Sequence, residues 1–101
     1  MNDRLLSFLG LCKRAGYLIS GADAVIKSMR DHKALLVLTA NDFSDNSLKN
    51  VRKAADAYKV TLKTLCCPKD ELSFALGKHC GVICVTDKGF ADRILTLMSE
   101  E

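Results

Sequence analysis

The chain contains no P-loop, no G-x-G-x-x-G fingerprint, no G-x-S-x-G elbow and no H-E-x-x-H pair. These absences exclude the usual phosphate-loop, dinucleotide, hydrolase and zinc-protease signatures. Gly10, Gly16 and Gly21 are spaced for helix ends rather than for a dinucleotide cradle. No window approaches the roughly 18 uncharged apolar residues of a membrane span. Met1-Asn2-Asp3-Arg4 also lacks the basic start and cleavage site of a secretory signal. A cytoplasmic protein with no membrane partner is expected. No Pro/Gly/Ser-rich linker, repeat or low-complexity tract interrupts the chain, so residues 1–101 are expected to form one domain. With 49% apolar residues, that domain can bury a core without help from metal or disulfide.

Cysteine is present but carries no framework. Cys12, Cys66, Cys67, Cys80 and Cys84 form an odd set without a C-x-x-C pair, so neither disulfides nor a zinc knuckle is spelled out. Reduced core thiols are expected, with the adjacent Cys66 and Cys67 pointing to opposite sides of a strand. His79 lies beside Cys80, yet no second ligand cluster supports a metal, and no cofactor is expected.

Catalytic pairings are equally thin. Ser20 and Thr39 carry hydroxyls, but His32 and His79 have no evident orienting acid and are expected to face solvent. Asp42 with Asp45, and Asp70 with Glu71, sit where turns and helix starts favour acidic residues anyway. A non-enzymatic role is expected.

Net charge is only +3, but it is unevenly spread. Residues 1–60 hold ten Lys/Arg against six Asp/Glu, and residues 61–101 hold five against six. Lys13, Arg14, Lys27, Arg30 and Lys33 bracket a glycine turn, which hints at nucleic acid, although a solvated surface explains the same charges.

Hydrophobic spacing alternates helix and strand along the whole length, as in an α/β layer fold. Asn2 can cap a first helix with Leu5, Leu6, Phe8, Leu9 and Cys12 on its inner side, stopped by Gly16. A short strand fits residues 17–19. A second helix over 22–31 buries Val25, Ile26 and Met29, and a buried strand over 35–38 follows. After a turn at 41–44, a third helix carries Leu48, Val51, Ala55 and Tyr58. Residues 60–66 alternate as a half-buried strand, and Pro68 opens a fourth helix that Gly77 ends. A strand over 82–85 and a last helix capped by Thr86 or Asp87 complete five helices and four strands.

The segment Ser20-Gly21-Ala22-Asp23-Ala24-Val25-Ile26-Lys27 reads as a glycine turn opening the second helix. A helix start offers unpaired N–H groups and the positive end of the macrodipole, and Lys27 adds a mobile charge about one turn in. That combination suits phosphate.

Three stretches in register carry a family resemblance: residues 21–27, then Lys33-Ala34-Leu35-Leu36-Val37-Leu38-Thr39-Ala40-Asn41-Asp42, then Leu72 with Gly77. The order and spacing resemble the kink-turn RNA-binding ribosomal-protein family, the L-seven-Ae and L-thirty-e type. Leu9-Gly10-Leu11-Cys12-Lys13-Arg14-Ala15-Gly16 and Thr86-Asp87-Lys88-Gly89-Phe90-Ala91 are similar to its small bacterial YlxQ-type members, and coverage is nearly the whole chain.

The resemblance implies a three-layer α/β/α sandwich around a mixed four-stranded sheet. It also implies RNA docked between the start of the second helix and the loop before the last strand. In the family, a Gly-x-Asn-Glu-x-x-Lys pattern sets base-reading groups against tandem G·A pairs and brings its lysine to phosphate. Gly21 and Lys27 match that pattern, whereas Asp23 stands at the Asn position and Ala24 at the Glu position. A carboxylate accepts hydrogen bonds but cannot donate as an amide does, and Ala24 offers only a methyl, so base reading should be reduced or altered. The second segment, Lys78-His79-Cys80-Gly81, corresponds to the loop against which an extruded nucleotide packs. His79 could stack on a base there and Lys78 could reach the backbone. Ser73, where relatives often carry Gly, is expected to matter little for RNA contact or fold.

The implied RNA-binding set is therefore Gly21, Ala22, Asp23, Ala24, Lys27, Lys78, His79 and Cys80, with Lys13 and Arg14 reaching phosphate. The expected partner is structured, kink-turn-like RNA, with ribosomal RNA, ribosomal proteins and translation factors as candidates and no DNA. The alternative is a protein-interaction module on the same fold, in which Asp23 and Ala24 mark lost base contacts.

Overall fold

Leu5, Leu9 and Cys12 recur at helical spacing, and in the computed structural model, which describes residues 3–100, all three are wholly buried along one side of helix α1 (Asp3–Arg14). Asn2, the expected cap, lies outside the described residues. The chain continues through β1 (Leu18–Ser20), α2 (Ala22–Arg30), β2 (Leu36–Thr39), α3 (Asp45–Tyr58), β3 (Thr61–Thr64), α4 (Lys69–Leu76), β4 (Val82–Val85) and α5 (Lys88–Ser99). Gly16 and Gly77 end α1 and α4 at positive φ, as the sequence indicates.

The four strands form one mixed sheet in the order β1-β4-β2-β3. Strand β4 runs antiparallel to both β1 and β2, and β3 runs parallel to β2. The two central strands, β2 and β4, are buried throughout, which is why both read as continuous apolar runs rather than alternating ones. Their side chains divide between two cores. Leu36, Leu38, Ile83 and Val85 pack with α1, α4 and α5 on one face, and Val37, Val82 and Cys84 pack with α2 and α3 on the other. The result is the expected three-layer α/β/α sandwich.

The last helix is capped by Asp87, whose carboxylate accepts from the Phe90 amide at 3.0 Å. Phe90 stacks between Phe8 and Tyr17, with ring centroids 5.3 and 5.5 Å apart, and ties α5 to the end of α1.

Several local expectations shift. Strand β1 begins one residue late because its span is set by pairing with β4, Leu18 opposite Val85 and Ser20 opposite Ile83. Leu35 is exposed and precedes β2, while Thr39 replaces it inside the strand. The β3 ladder stops at Thr64, so Cys66 and Cys67 lie in a bend rather than a strand. Cys66 is exposed and the other four cysteines are buried, so only those four are core thiols. Tyr58 is exposed and meets His32 edge-on, with centroids 6.3 Å apart, rather than joining the core. Ser28, unremarked in the apolar pattern of α2, is buried.

Candidate nucleic-acid interface

Strand direction decides where the loops gather. Because β1 and β2 both oppose β4, the ends of β1, β2 and β3 lie together with the start of β4 along one edge of the sheet. Helices α2, α3 and α4 all begin there, and the loop after α4 returns there. Three helix N-termini thus present their partial positive ends at one edge.

Backbone bonds knit these segments into a single surface. The Gly21 amide donates to the Val82 carbonyl at 3.0 Å, the Ala40 amide to Gly81 at 2.9 Å, and the Asn41 amide to Cys67 at 2.9 Å. A Cβ on Gly81 would lie 2.7 Å from the Phe43 ring, so the 40–44 and 78–81 loops meet at van der Waals distance only because residue 81 is glycine.

Gly21 caps α2 at φ 99° and ψ 141°, a conformation essentially reserved for glycine. No side chain caps the first turn of α2. By contrast the Asp42 carboxylate accepts from the Lys69 amide at 2.8 Å and closes the start of α4. The first-turn amides of α2, at Ala22, Asp23 and Ala24, are therefore open donors at this edge, as are those of α3, whose Ser44 cap makes no side-chain hydrogen bond either. Asp23 and Ala24 are both exposed on that turn. Lys27 is exposed too, but its ammonium donates to Asp31 at 2.9 Å, one turn further along. The hydrogen bond from Lys27 is the main cause holding the Asp31 carboxyl below its ordinary range.

Residues 3–94 match the family model described as the ribosomal protein L7Ae/L30e/S12e/Gadd45 family. The chain belongs to that family. It is 40% identical over 95 residues to a protein of Bacillus subtilis named RNA-binding protein YlxQ, covering 89% of this chain and 90% of that one. It is 34% identical over 96 residues to the Enterococcus faecium protein of the same name, covering 95% and 92%. Among solved structures, a protein of unknown function from Bacillus halodurans superposes with a TM-score of 0.89 at 29% identity, over 97% of this chain and 99% of that one. A Giardia lamblia 15.5kD RNA binding protein superposes with a TM-score of 0.74 over 99% and 89%, and at 17% identity this likeness bears on the fold alone.

Within this member of the L7Ae family, the residues singled out from sequence separate into groups. Gly21 bonds Val82, the residue that follows the 78–81 loop, so Ala22, Asp23 and Ala24 open α2 from the strand edge at which that loop ends. Lys78 and His79 are exposed on that loop. Cys80 turns into the core between α1, α4 and β4, and burial raises its thiol pKa, so it anchors the loop and does not face out from it. Lys13 and Arg14 pack on α1, across the sheet from α2, so a patch that brackets Gly21 in sequence is not continuous in space. The Lys13 ammonium donates to the Leu76 carbonyl at the end of α4. Arg14 is exposed, with its guanidinium beside the buried Gly10 where α1 meets α4.

Two residues on this surface were not singled out by sequence reasoning. The Ser73 hydroxyl accepts from the Cys80 amide at 3.1 Å and donates to the Cys80 carbonyl at 3.2 Å, clasping the 78–81 loop to α4. Ser73, expected to matter little for the fold, thus holds the 78–81 loop in place. Lys69 packs its stem against Gly81 at the start of α4, placing another cation at this edge. An i, i+4 scan of α2 also reveals the Lys27–Asp31 pair, a signal already present in the sequence.

Proposed function

We propose that this protein is a non-catalytic RNA-binding protein that recognises a kink-turn or a similarly bent structured RNA. The observation that carries this reading is the Gly21–Val82 hydrogen bond. It sets an uncapped helix start carrying Lys27 beside a loop carrying Lys78 and His79, with Lys69 at the loop's base. Backbone amides and lysines there suit phosphate, while His79 supplies a flat face for an unstacked base. Family membership and the naming of the YlxQ relatives as RNA-binding proteins support the same reading. Association with ribosomal RNA or translation factors in the cytoplasm belongs to this proposal.

Asp23 and Ala24 favour a binder with altered base selectivity. Asp23 can accept from guanine N–H groups but adds negative charge close to phosphate. The same two residues favour a second reading, a protein-interaction module that has lost specific base contacts.

Binding to a standard kink-turn RNA, and to one with its G·A pairs converted to Watson–Crick pairs, tests the proposal at two salt concentrations. Tight binding lost on conversion supports kink-turn recognition. Lys27→Ala should weaken that binding and flatten the log–log salt slope by about one. Equal, weak binding to both RNAs would refute kink-turn specificity and leave the protein-interaction reading standing.

A further inference from the structure

Helix α1 exposes a straight ridge on the side of the sheet opposite α2. Arg4, Ser7, Leu11 and Arg14 follow at steps of three and four, which places them in one line along the helix. A furrow runs along each flank of this ridge. Toward α5, one of about 500 Å³ takes in Phe8, Arg93 and Leu97. Toward α4, one of about 450 Å³ takes in Gly10, Phe74 and Ala75. Ser7 and Arg14 border both, so the furrows form one continuous surface.

Two properties of this surface are unusual for a solvated face. Phe74 is 91% exposed, the most exposed of the large apolar side chains described, and Leu11 on the ridge is 44% exposed. Phe74 lines the α4 furrow and Leu11 the α5 furrow, and apolar groups so exposed beside a groove mark interaction surfaces more often than solvent faces. The charged groups lining the furrows are all of one sign: Arg4, Arg14 and Arg93, with no carboxylate among the lining residues. Arg4 meets Glu100 at 3.5 Å at one end of the ridge. Arg14 and Arg93 make no ion pair among the described residues.

We infer that this ridge and its furrows dock an acidic amphipathic helix from a protein partner. The twelve residues of α1 span about 18 Å, which matches roughly three turns of a partner helix. Apolar anchors on such a helix would enter the furrows beside Phe8 and Phe74, and its carboxylates would meet Arg14 and Arg93 in bidentate pairs. Gly10 lines the α4 furrow, where a Cβ would make only ordinary contact with the Ala75 carbonyl at 3.6 Å and the Arg14 guanidinium at 3.8 Å. The apolar walls favour a protein segment over a nucleic-acid backbone, which brings charge without apolar side chains. The surface also lies on the other layer from Gly21 and Lys27, so occupation of one leaves the other accessible. The inference does not rest on RNA binding.

The test is selection of 16-residue helical peptides from a displayed library on the full chain, repeated on Phe74→Ser and Arg14→Glu. Both substitutions fall on exposed positions, and thermal unfolding verifies that each variant is folded. The expected result is enrichment of net-acidic peptides with apolar residues at i, i+3 or i+4 and i+7. Their binding should fall at least about tenfold on either variant and stay unchanged on Lys27→Ala. Absence of enrichment, selection of basic or neutral peptides, or binding indifferent to both variants would overturn the inference. So would a concentration-dependent dimer that Phe74→Ser abolishes, because a second copy would then cover the ridge. Loss of kink-turn RNA affinity in Arg14→Glu equal to that in Lys27→Ala would assign the ridge to RNA instead.

Discussion

Lys27 is bound to Asp31 before it meets any ligand, and that pair shapes what the lysine can do. Both partners are exposed, so the pair is readily exchanged for a phosphate, but the exchange is not without cost. Asp31→Asn removes the competitor and is expected to raise RNA affinity about two- to fivefold, with no added contact. Titration at fixed salt would show it, and an unchanged affinity would mean that Lys27 does not reach phosphate. The sign with pH follows from the depressed Asp31 carboxyl. The pair contributes above the ordinary aspartate range and is lost as pH falls through the lowered value. Gly21 is the other decisive residue. At φ 99° and ψ 141° an alanine would be strained by about 1–3 kcal/mol. Urea unfolding of Gly21→Ala should report that loss, with weaker RNA binding as the α2 turn rotates from Val82. The glycine was legible from sequence as a helix opener. The Lys27–Asp31 pair follows the i, i+4 rule and was equally legible, although Asp31 lies past the helix end, where no apolar pattern marks it.

At the scale of elements, legibility tracked how far each element dictates its own limits. Strand β4 fell where its continuous apolar run begins and ends, because both faces are buried and every residue reads apolar. Helix α1 was readable from Leu5, Leu9 and Cys12 for the corresponding reason at helical period. Strand β1 was displaced by one residue, since three residues carry no pattern of their own and the partner strand fixes them. Alternation continues past Thr64 into Cys66, but the β2–β3 ladder does not, so the strand was read too long. Ser73 was opaque for another reason. A serine inside a helix usually faces water, and only the folded loop reveals that its hydroxyl serves both backbone groups of Cys80. Ser73→Ala is expected to cost about 1 kcal/mol and to leave the Cys80 amide poorly protected. Hydrogen exchange at that amide should accelerate in Ser73→Ala and be partly restored in Ser73→Thr, which keeps a hydroxyl. If exchange is unchanged, Ser73 does not hold the loop.

Across the whole molecule, the meeting of α2 with the 78–81 loop could not be read from spacing, because some fifty residues separate the segments and only the sheet order joins them. The family resemblance supplied that juxtaposition, while composition supplied the buried thiols. The Cys12 pKa is pushed up to about 11, chiefly by burial, and burial likewise raises Cys80 and Cys84. In the unfolded chain these thiols ionise near 9, so above that pH the unfolded state holds fewer protons than the native one. The contribution of the Cys12 thiol to stability is then lost as pH rises from about 9 toward 11. The same burial predicts that a thiol reagent at about pH 8 labels Cys66 rapidly and the other four cysteines only as the molecule opens. Urea midpoints measured across that alkaline range on the parent and on Cys12→Ala isolate one contribution, since every other residue is common to both. The variant should start less stable, because it loses packing between α1 and the sheet, yet decline less steeply with pH. Parallel declines would show that the Cys12 thiol keeps an ordinary pKa and that water reaches the core beneath α1.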